Sequence, residues 1–171
     1  RHDIVLADTG AVKMWMARLY PTYEPNTLLV SNGLSSMGFS VPGAIAAKLA
    51  LPDRKVLAAT GDGAFLMNSQ ELETAIRENV PITVLIWEDG AYGLIEWKMD
   101  LELGRSSNIA FGNPDFVAYA ESFGAKGYRV TSADELLPTL RKALSDNGVS
   151  VVTVPVDYSH NLRLTDALGG L

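Results

Sequence analysis

One stretch, residues 61–93, constrains the fold of this chain most strongly. The apolar residues 56–59 lead into a Gly-Asp-Gly sequence centred on Asp62, and the apolar residues 82–87 lead into a loop that contains Asp89. A short apolar run that ends at glycine and acidic residues is typical of a buried strand in a parallel sheet. The stretch therefore predicts two buried strands, each followed by a loop that carries an aspartate.

A helix is predicted between these two strands. Leu72, Ala75 and Ile76 form an apolar stripe at helical spacing, and Asn68 with Glu71 has the spacing of a capping box. A strand–helix–strand unit of this kind crosses over in the right-handed sense and places the carboxyl ends of both strands at one edge of the sheet. The two aspartates then face each other across a crevice, where carboxylates among glycine amides suit a hard divalent cation and the phosphates that it bridges.

The rest of the chain extends the same alternation. Further strands are predicted at the apolar runs 4–7, 28–30 and 151–154, and at residues 127–130. Among the helices between them, one is predicted to start at Asn113 with Pro114 in its first position, and another to be capped by Ser132 with Glu135. We therefore predict an α/β fold: a single domain over residues 1–171, with a doubly wound, mostly parallel sheet and helices on both faces.

Composition argues against several classes of function. The net charge is −6 and no cluster of lysine and arginine offers a surface for phosphates, so no nucleic-acid partner is expected. No apolar run approaches the length needed to cross a bilayer, so no membrane association is expected. The absence of cysteine favours a reducing, cytoplasmic location. The chain begins with Arg1 rather than with methionine, and we expect it to be a piece of a longer protein.

The motif residues also carry a family resemblance. The sequence GDGAFLMNSQELETAIREN (61–79), with an aspartate at residue 89, resembles the metal and diphosphate motif of thiamine diphosphate enzymes. The pattern is most similar to that of the acetolactate synthase family, which SNGLSSMGFSVP (31–42), AYAESFGAKG (118–127) and VPVDY (154–158) also resemble. The resemblance covers nearly the whole chain and implies the C-terminal, diphosphate-binding domain of such an enzyme.

The resemblance implies a set of metal and cofactor ligands. Mg²⁺ would be bound by the side chains of Asp62 and Asp89 and by the main-chain carbonyl of Ala91. The residues implied to bind thiamine diphosphate are Ser35, Met37, Gly61, Asp62, Gly63, Ala64, Asp89, Ala91 and Gly93. The commonest family pattern has asparagine where this chain has Asp89, and aspartate is still an oxygen donor.

Residues 31–38 form a small-residue loop that holds the aminopyrimidine ring in the resembled family. The resemblance implies that Met37 wedges under the cofactor and keeps it bent, while ordinary core packing is the alternative role. The main chain at Ser35 would meet the amino group of the cofactor. The family has polar residues for the diphosphate where this chain has the apolar pair 11–12, and Lys13 either replaces them or is an ordinary surface lysine.

The helix that follows Gly93 borders the substrate pocket in the resembled family. Leu94 and Trp97 are therefore candidate pocket residues, with packing as the alternative role for Trp97. No residue of this chain is assigned a certain catalytic role. The tail, residues 157–171, either covers a site or frays.

The implied function is the diphosphate- and Mg²⁺-binding half of a thiamine diphosphate-dependent carboligase or decarboxylase, most similar to acetolactate synthase and acting on pyruvate or another 2-oxo acid. The activating glutamate of such enzymes lies in a pyrimidine-binding domain, usually that of a partner subunit. The chain is therefore expected to be inactive alone, to work in a homo-oligomer, and to expose an apolar patch near Met37 and Leu94. FAD, where the longer enzyme binds it, would not be bound by this domain alone.

Two alternatives stay open at this stage. One is another thiamine-dependent 2-oxo acid decarboxylase, with this chain as a separate subunit. The other, from a different class, is a non-catalytic nucleotide-binding or interaction domain, because a doubly wound sheet does not by itself fix a function.

Overall fold

A computed structural model of the chain describes residues 2–161, 163 and 164. The strands in these residues are β1 (Ile4–Ala7), β2 (Leu28–Val30), β3 (Val56–Gly61), β4 (Thr83–Glu88), β5 (Lys126–Arg129) and β6 (Ser150–Pro155). The helices are α1 (Ala11–Leu19), α2 (Ser40–Ala50), α3 (Asp62–Met67), α4 (Glu71–Arg77), α5 (Gly93–Leu103), α6 (Phe116–Ser122) and α7 (Ala133–Ala143). None of the helices in this part of the chain is long and apolar enough to cross a membrane.

The described strands form one parallel sheet in the order β2-β1-β3-β4-β6-β5. The central strands are rich in valine, isoleucine, leucine and alanine because helices cover a parallel sheet on both faces. In the register of β3 and β4, Gly61 lies opposite Trp87, so the loops after these two strands leave the same edge of the sheet. The predicted α/β fold with a parallel sheet is confirmed.

Helices pack on both faces of the sheet. Over one face, α2, α3, α4 and α6 bury a large core that includes Leu6, Val41, Phe65, Leu72, Ile86 and Phe116. Over the other face, α7 packs on a smaller core that includes Leu85, Val130, Ala143 and Val152. Trp15 of α1 borders a groove together with Leu85 and Leu136, which places α1 on the same face as α7. Each fully buried large apolar side chain contributes about 1.5–3 kcal/mol to this assembly.

Neither of the predicted capping boxes forms. Asn68 follows the last residue of α3, and its Nδ2 donates to the carbonyl oxygen of Gly38 at 3.0 Å. Ser132 precedes α7 without a side-chain cap, and the Glu135 carboxylate accepts from the N–H of Thr131 at 2.9 Å. The helices form where they were predicted because the apolar spacing holds, whereas Asn68 bonds to a distant loop and Glu135 bonds to Thr131 just before α7.

The start of α6 also differs from the prediction. The helix begins at Phe116, and Asp115 caps it by accepting from the N–H groups of Val117 at 2.9 Å and Ala118 at 3.2 Å. Asn113 was the predicted start and is not part of this cap. Its side chain instead reaches the predicted metal-binding loops, as described below.

Candidate functional site

A cleft opens at the carboxyl edge of the sheet, between the ends of β1 and β3. These two strands are neighbours in the sheet, but the strands that follow them in the chain lie on opposite sides: β2 lies beyond β1, and β4 lies beyond β3. Ligands of doubly wound proteins bind at such a reversal of strand order. The cleft is lined by Thr9, Gly10, Ala11, Val12, Met37, Gly61, Asp62, Gly63, Ala64, Asp89, Ala91, Tyr92, Gly93, Leu94, Ile95 and Tyr158.

Asp62 lies at the floor of the cleft, where β3 turns directly into α3. Its side chain is almost fully buried, with 1% of the residue exposed. The carboxylate accepts hydrogen bonds from the main-chain N–H groups of Gly63 at 2.7 Å, Gly90 at 2.7 Å and Asp89 at 3.1 Å. Asp62 therefore joins the loop after β3 to the loop after β4.

Asp89 brings a second carboxyl group to the same place. It lies within hydrogen-bonding reach of the Asp62 carboxylate and accepts from the main-chain N–H of Ala91. Burial, the charge of Asp62 and the hydrogen bond to Asp62 raise the pKa of Asp89 to about 7, and the Ala91 contact partly opposes this rise. The side chains predicted to converge do converge, and their mutual repulsion favours a cation between them.

Gly93 fits closely against this pair. A Cβ atom at residue 93 would lie 2.4 Å from Oδ2 of Asp89 and 3.3 Å from the ring of Tyr158. Any larger residue would therefore displace the Asp89 carboxyl group or the Tyr158 ring. The absence of a side chain at Gly93 therefore provides the space that the Asp89 carboxyl group occupies.

Asp8 holds the loop that carries Met37. This buried carboxylate follows β1 and accepts from the main-chain N–H groups of Gly38 at 3.0 Å and Ser40 at 2.9 Å, and from Ser40 Oγ at 2.6 Å. Gly38 has φ +85°, and a Cβ atom there would lie 2.9 Å from the Cβ of Met67 in α3. The loop is thus pressed against α3, with Met37 on the wall of the cleft.

Ser35 and Lys13 contact each other beside the cleft. Lys13 Nζ donates to Ser35 Oγ at 3.2 Å and to the carbonyl oxygen of Ser31 at 3.3 Å. Ser35 has φ 56°, and its hydroxyl donates to the same carbonyl oxygen at 3.0 Å. Lys13 therefore supports the loop in this structure, and the implied main-chain contact at Ser35 stays a prediction.

The two candidate pocket residues separate. Leu94 lines the cleft next to Met37, as does the exposed Ile95. Trp97 is not among the lining residues of the cleft; it is a buried residue of α5 and borders a neighbouring acidic cavity with Glu96 and Asp100. The structure thus brings Leu94 and not Trp97 to the main cleft.

Sequence reasoning did not assign Tyr158 or Asn113 to the site. Tyr158, from the tail, lines the cleft and packs on Trp87 with their ring centroids 6.5 Å apart. Burial, followed by the charges of Asp89 and Asp62, raises the pKa of the Tyr158 hydroxyl, so the ring is neutral. Asn113 Nδ2 donates to Oδ2 of Asp62 at 2.7 Å. The remaining tail prediction, for residues 165–171, lies outside the described residues.

Few side chains in the cleft could act as metal ligands. Within residues 2–161, 163 and 164, no cluster of three or more histidine, cysteine, aspartate or glutamate residues could hold a metal ion. A cation between Asp62 and Asp89 would therefore draw its other ligands from the main chain, from water or from a bound phosphate group. Mg²⁺ is usually bound in this way, through one or two carboxylates together with ligand phosphates.

A doubly wound sheet with a cleft at the reversal of strand order is typical of domains that bind nucleotides and related phosphate-containing cofactors. The same fold occurs in a thiamine diphosphate-dependent 4-hydroxybenzoylformate decarboxylase from Rhodococcus jostii RHA1, with a TM-score of 0.82 and 23% identity. That match covers 92% of this chain and 30% of the decarboxylase.

Residues 8–154 match the family of thiamine pyrophosphate enzymes, C-terminal TPP binding domain, and the chain belongs to this family. It is 44% identical over 163 residues to an acetolactate synthase of Bacillus subtilis and 42% identical over 167 residues to a catabolic acetolactate synthase of Raoultella terrigena. These matches cover 95% and 97% of this chain, but the chain spans only 29% and 30% of those proteins. The resemblance found in the sequence is confirmed.

Proposed function

We propose that this chain is the diphosphate- and Mg²⁺-binding half-site of an acetolactate synthase-like enzyme that acts on pyruvate. The observation that carries the proposal is the convergence of Asp62 and Asp89 in the cleft at the end of β3 and β4. The identity of 44% and 42% to two acetolactate synthases supports this substrate class over that of other 2-oxo acid decarboxylases. The family match favours an enzyme domain over a non-catalytic nucleotide-binding domain.

The residues of the cleft fit a Mg²⁺–diphosphate group. Burial, and after it the charge of Asp62, raises the pKa of Asp89, and a divalent cation between the two carboxyl groups would offset both effects. Thr9 lines the cleft, and its Oγ1 is buried without a hydrogen-bond partner in the described part of the chain. A buried hydroxyl without a partner is expected where a ligand supplies the missing acceptor or donor.

Each part of the cleft then has a task. Asp62 and Asp89 would hold the cation, and the main-chain carbonyl of Ala91 would add a third oxygen. The N–H groups near Gly63 and Gly93 would contact the diphosphate, while Met37 would support the rings of the cofactor. Bound thiamine diphosphate supplies the nucleophilic carbon with which a 2-oxo acid is decarboxylated and its acyl unit transferred.

A second surface is needed to complete the site. The cleft encloses about 90 Å³, whereas pockets for ligands of this size enclose roughly 300–1,000 Å³. Apolar side chains are exposed in the lining of the cleft and in the segments that form its walls: 54% of Ile95 in the lining, 91% of Leu34 in the loop of Met37 and 48% of Met67 in α3 are accessible to solvent. We propose that the pyrimidine-binding domain of a partner subunit covers this surface in a cytoplasmic homo-oligomer and contributes the activating glutamate. FAD, where present, would be bound by another domain.

Acetolactate formation from pyruvate tests the half-site proposal. We expect activity in a full-length enzyme that contains this domain, and none in residues 1–171 expressed alone, in the presence of thiamine diphosphate and Mg²⁺. Light scattering should show self-association of the isolated chain through its exposed apolar residues. Acetolactate formation by the isolated, monomeric chain would refute the half-site, and failure of the full-length enzyme to act on pyruvate would refute the proposed substrate.

A further inference from the structure

A short segment to which the sequence analysis gave no role in the site lies across the predicted metal-binding loops. This segment, residues 109–113, is called here the clasp segment. The N–H of Tyr92 donates to the carbonyl oxygen of Ile109, and the N–H of Phe111 donates to that of Gly90, each at 2.9 Å. The clasp segment is thereby fixed, in antiparallel fashion, to the loop that carries Asp89.

Aromatic packing extends this contact to the loop after β3. The rings of Phe111 and Tyr92 lie 4.9 Å apart between their centroids. A Cβ atom added to Gly63 would lie 3.1 Å from Phe111 and 3.2 Å from Tyr92, so both rings cover the main chain next to Asp62. One segment thus contacts both loops that bear the paired carboxylates.

Asn113 ends the clasp segment with a direct contact to a carboxylate. Its Nδ2 donates to Oδ2 of Asp62 at 2.7 Å, and the same oxygen accepts from the N–H groups of Gly90 and Asp89. The other oxygen, Oδ1, accepts from the N–H of Gly63 at 2.7 Å. Oδ2 already accepts from three donors, so a further ligand of this carboxylate, such as a cation shared with Asp89, is left Oδ1.

The Asn113 side chain has no other hydrogen-bonding role within the described ranges. The cap of α6 is supplied by Asp115 and not by Asn113. Oδ1 of Asn113 is buried and has no hydrogen-bond partner in the part of the chain that the structure describes. A carboxylate accepts and does not donate, so the amide presents its nitrogen to Asp62.

We propose that Asn113 is a positioning residue for Asp62. By saturating one carboxylate oxygen, it fixes the rotation of the carboxylate and leaves the second oxygen free for the cation. This inference rests on the proposed function, in which Asp62 binds the cation of a Mg²⁺–diphosphate group. Removal of a partner that orients a metal ligand typically weakens metal binding by about 10–100-fold.

The test measures the Mg²⁺ concentration that half-saturates binding of thiamine diphosphate to the full-length enzyme, by isothermal titration calorimetry. Asn113→Ala is compared with Asn147→Ala, a matched change at an exposed asparagine outside the site. We expect Asn113→Ala to raise the half-saturating Mg²⁺ concentration by about 10–100-fold, with cofactor binding recovered at high Mg²⁺. Asn147→Ala should match the wild type.

Two outcomes would overturn the role of Asn113. The first is a folded Asn113→Ala variant with the wild-type Mg²⁺ requirement, because a merely structural residue would change thermal stability and not the metal dependence. The second comes from Asn113→Leu, which has a side chain of similar size but cannot donate a hydrogen bond to Asp62. We expect this variant to need as much additional Mg²⁺ as Asn113→Ala, and a wild-type Mg²⁺ requirement would show that the hydrogen bond does not position Asp62. A wild-type enzyme whose cofactor binding needs no Mg²⁺ would refute the proposed function itself.

Discussion

Asp8 and the pair Asp62 and Asp89 follow the ends of neighbouring strands at the same edge of the sheet, and their surroundings differ. Asp8, after β1, accepts five hydrogen bonds from protein donors, including main-chain N–H groups and hydroxyl groups. Asp62 and Asp89, after β3 and β4, lie against each other, and the pKa of Asp89 rises to about 7. Among the described residues, no lysine, arginine or histidine forms an ion pair with Asp62 or Asp89.

This difference separates a structural carboxylate from a ligand-binding pair. The Asp8 carboxylate accepts its hydrogen bonds from main-chain N–H and hydroxyl groups of the protein, so Asp8 holds the loop of Met37 in place whether or not a ligand is present. Asp62 and Asp89 bring two carboxyl groups together without a cation from the described chain, so the pair gains most when a cation arrives. Replacing aspartate with asparagine should therefore lower the free energy of unfolding at residue 8, and leave it unchanged or raise it at residue 89.

The largest expected effect is that of Asp8→Asn on stability. The amide leaves buried donors without an acceptor, and each such donor costs about 1–3 kcal/mol, so we expect a loss of about 2–5 kcal/mol. The matched substitution Asp89→Asn removes a repelling charge and should leave the metal-free chain at pH 8 as stable as the wild type, or more stable. Equilibrium unfolding in urea measures both variants. Equal destabilisation by the two substitutions would remove the distinction between the two groups.

A smaller effect is expected from Gly93→Ala, which tests the room beside Asp89. The added Cβ would lie 2.4 Å from Oδ2 of Asp89, so the carboxyl group must move away from its position beside Asp62. We expect the affinity for Mg²⁺ and thiamine diphosphate to fall by about tenfold in the full-length enzyme, as measured by calorimetry. Gly148→Ala is the control, because a Cβ at that position meets nothing within 4 Å. Unchanged affinity in Gly93→Ala would show that the position of Asp89 does not matter.

A pH titration gives the next effect. The pKa of Asp89 is raised to about 7 in the folded chain from its ordinary value of 3.8, so the folded state binds an extra proton between these values. The free energy of unfolding of the metal-free chain should therefore fall as pH rises from about 4 to about 7, and then level off. Because Asp89 is partly exposed, solvent screening limits this contribution to about 1 kcal/mol. Subtracting the free energy of unfolding of Asp89→Asn from that of the wild type at each pH isolates the contribution of Asp89. A difference that does not change with pH would contradict the raised pKa of Asp89.

The smallest effect on stability is expected outside both carboxylate groups. Leu34 is 91% exposed, so Leu34→Ser should change the free energy of unfolding by about 0.5 kcal/mol or less. The same substitution should lower the self-association of the isolated chain, as measured by light scattering, because it removes exposed apolar surface from the loop that carries Met37. Unchanged self-association would place the contact surface elsewhere on the chain.

The sequence was sufficient to predict the fold and the paired aspartates, for a physical reason. Buried parallel strands require apolar runs, and parallel strands that are neighbours bring their carboxyl ends together, so Asp62 and Asp89 could be placed without coordinates. Asp8 also follows an apolar run and received no role, because the donors that surround it come from a loop about thirty residues away.

Asn113 and Tyr158 show where local reasoning failed. Asparagine before proline is a strong local signal for a helix start, and it obscured the contact of Asn113 with a carboxylate 51 residues earlier. Tyr158 lies in a tail without periodicity, so no pattern predicted that it would reach the cleft. Contacts of this kind depend on tertiary placement, which neither spacing nor helix propensity encodes.

The central claim is that Asp62 and Asp89 share one divalent ion, and anomalous X-ray scattering from Mn²⁺ tests it most directly. Mn²⁺ takes oxygen ligands like those of Mg²⁺, and its position can be located in crystals of the full-length enzyme grown with thiamine diphosphate. The account predicts one peak bonded to both carboxylates, at about 2.0–2.2 Å from each nearest oxygen. A peak bonded to neither aspartate, or to one of them in a separate site, would contradict it.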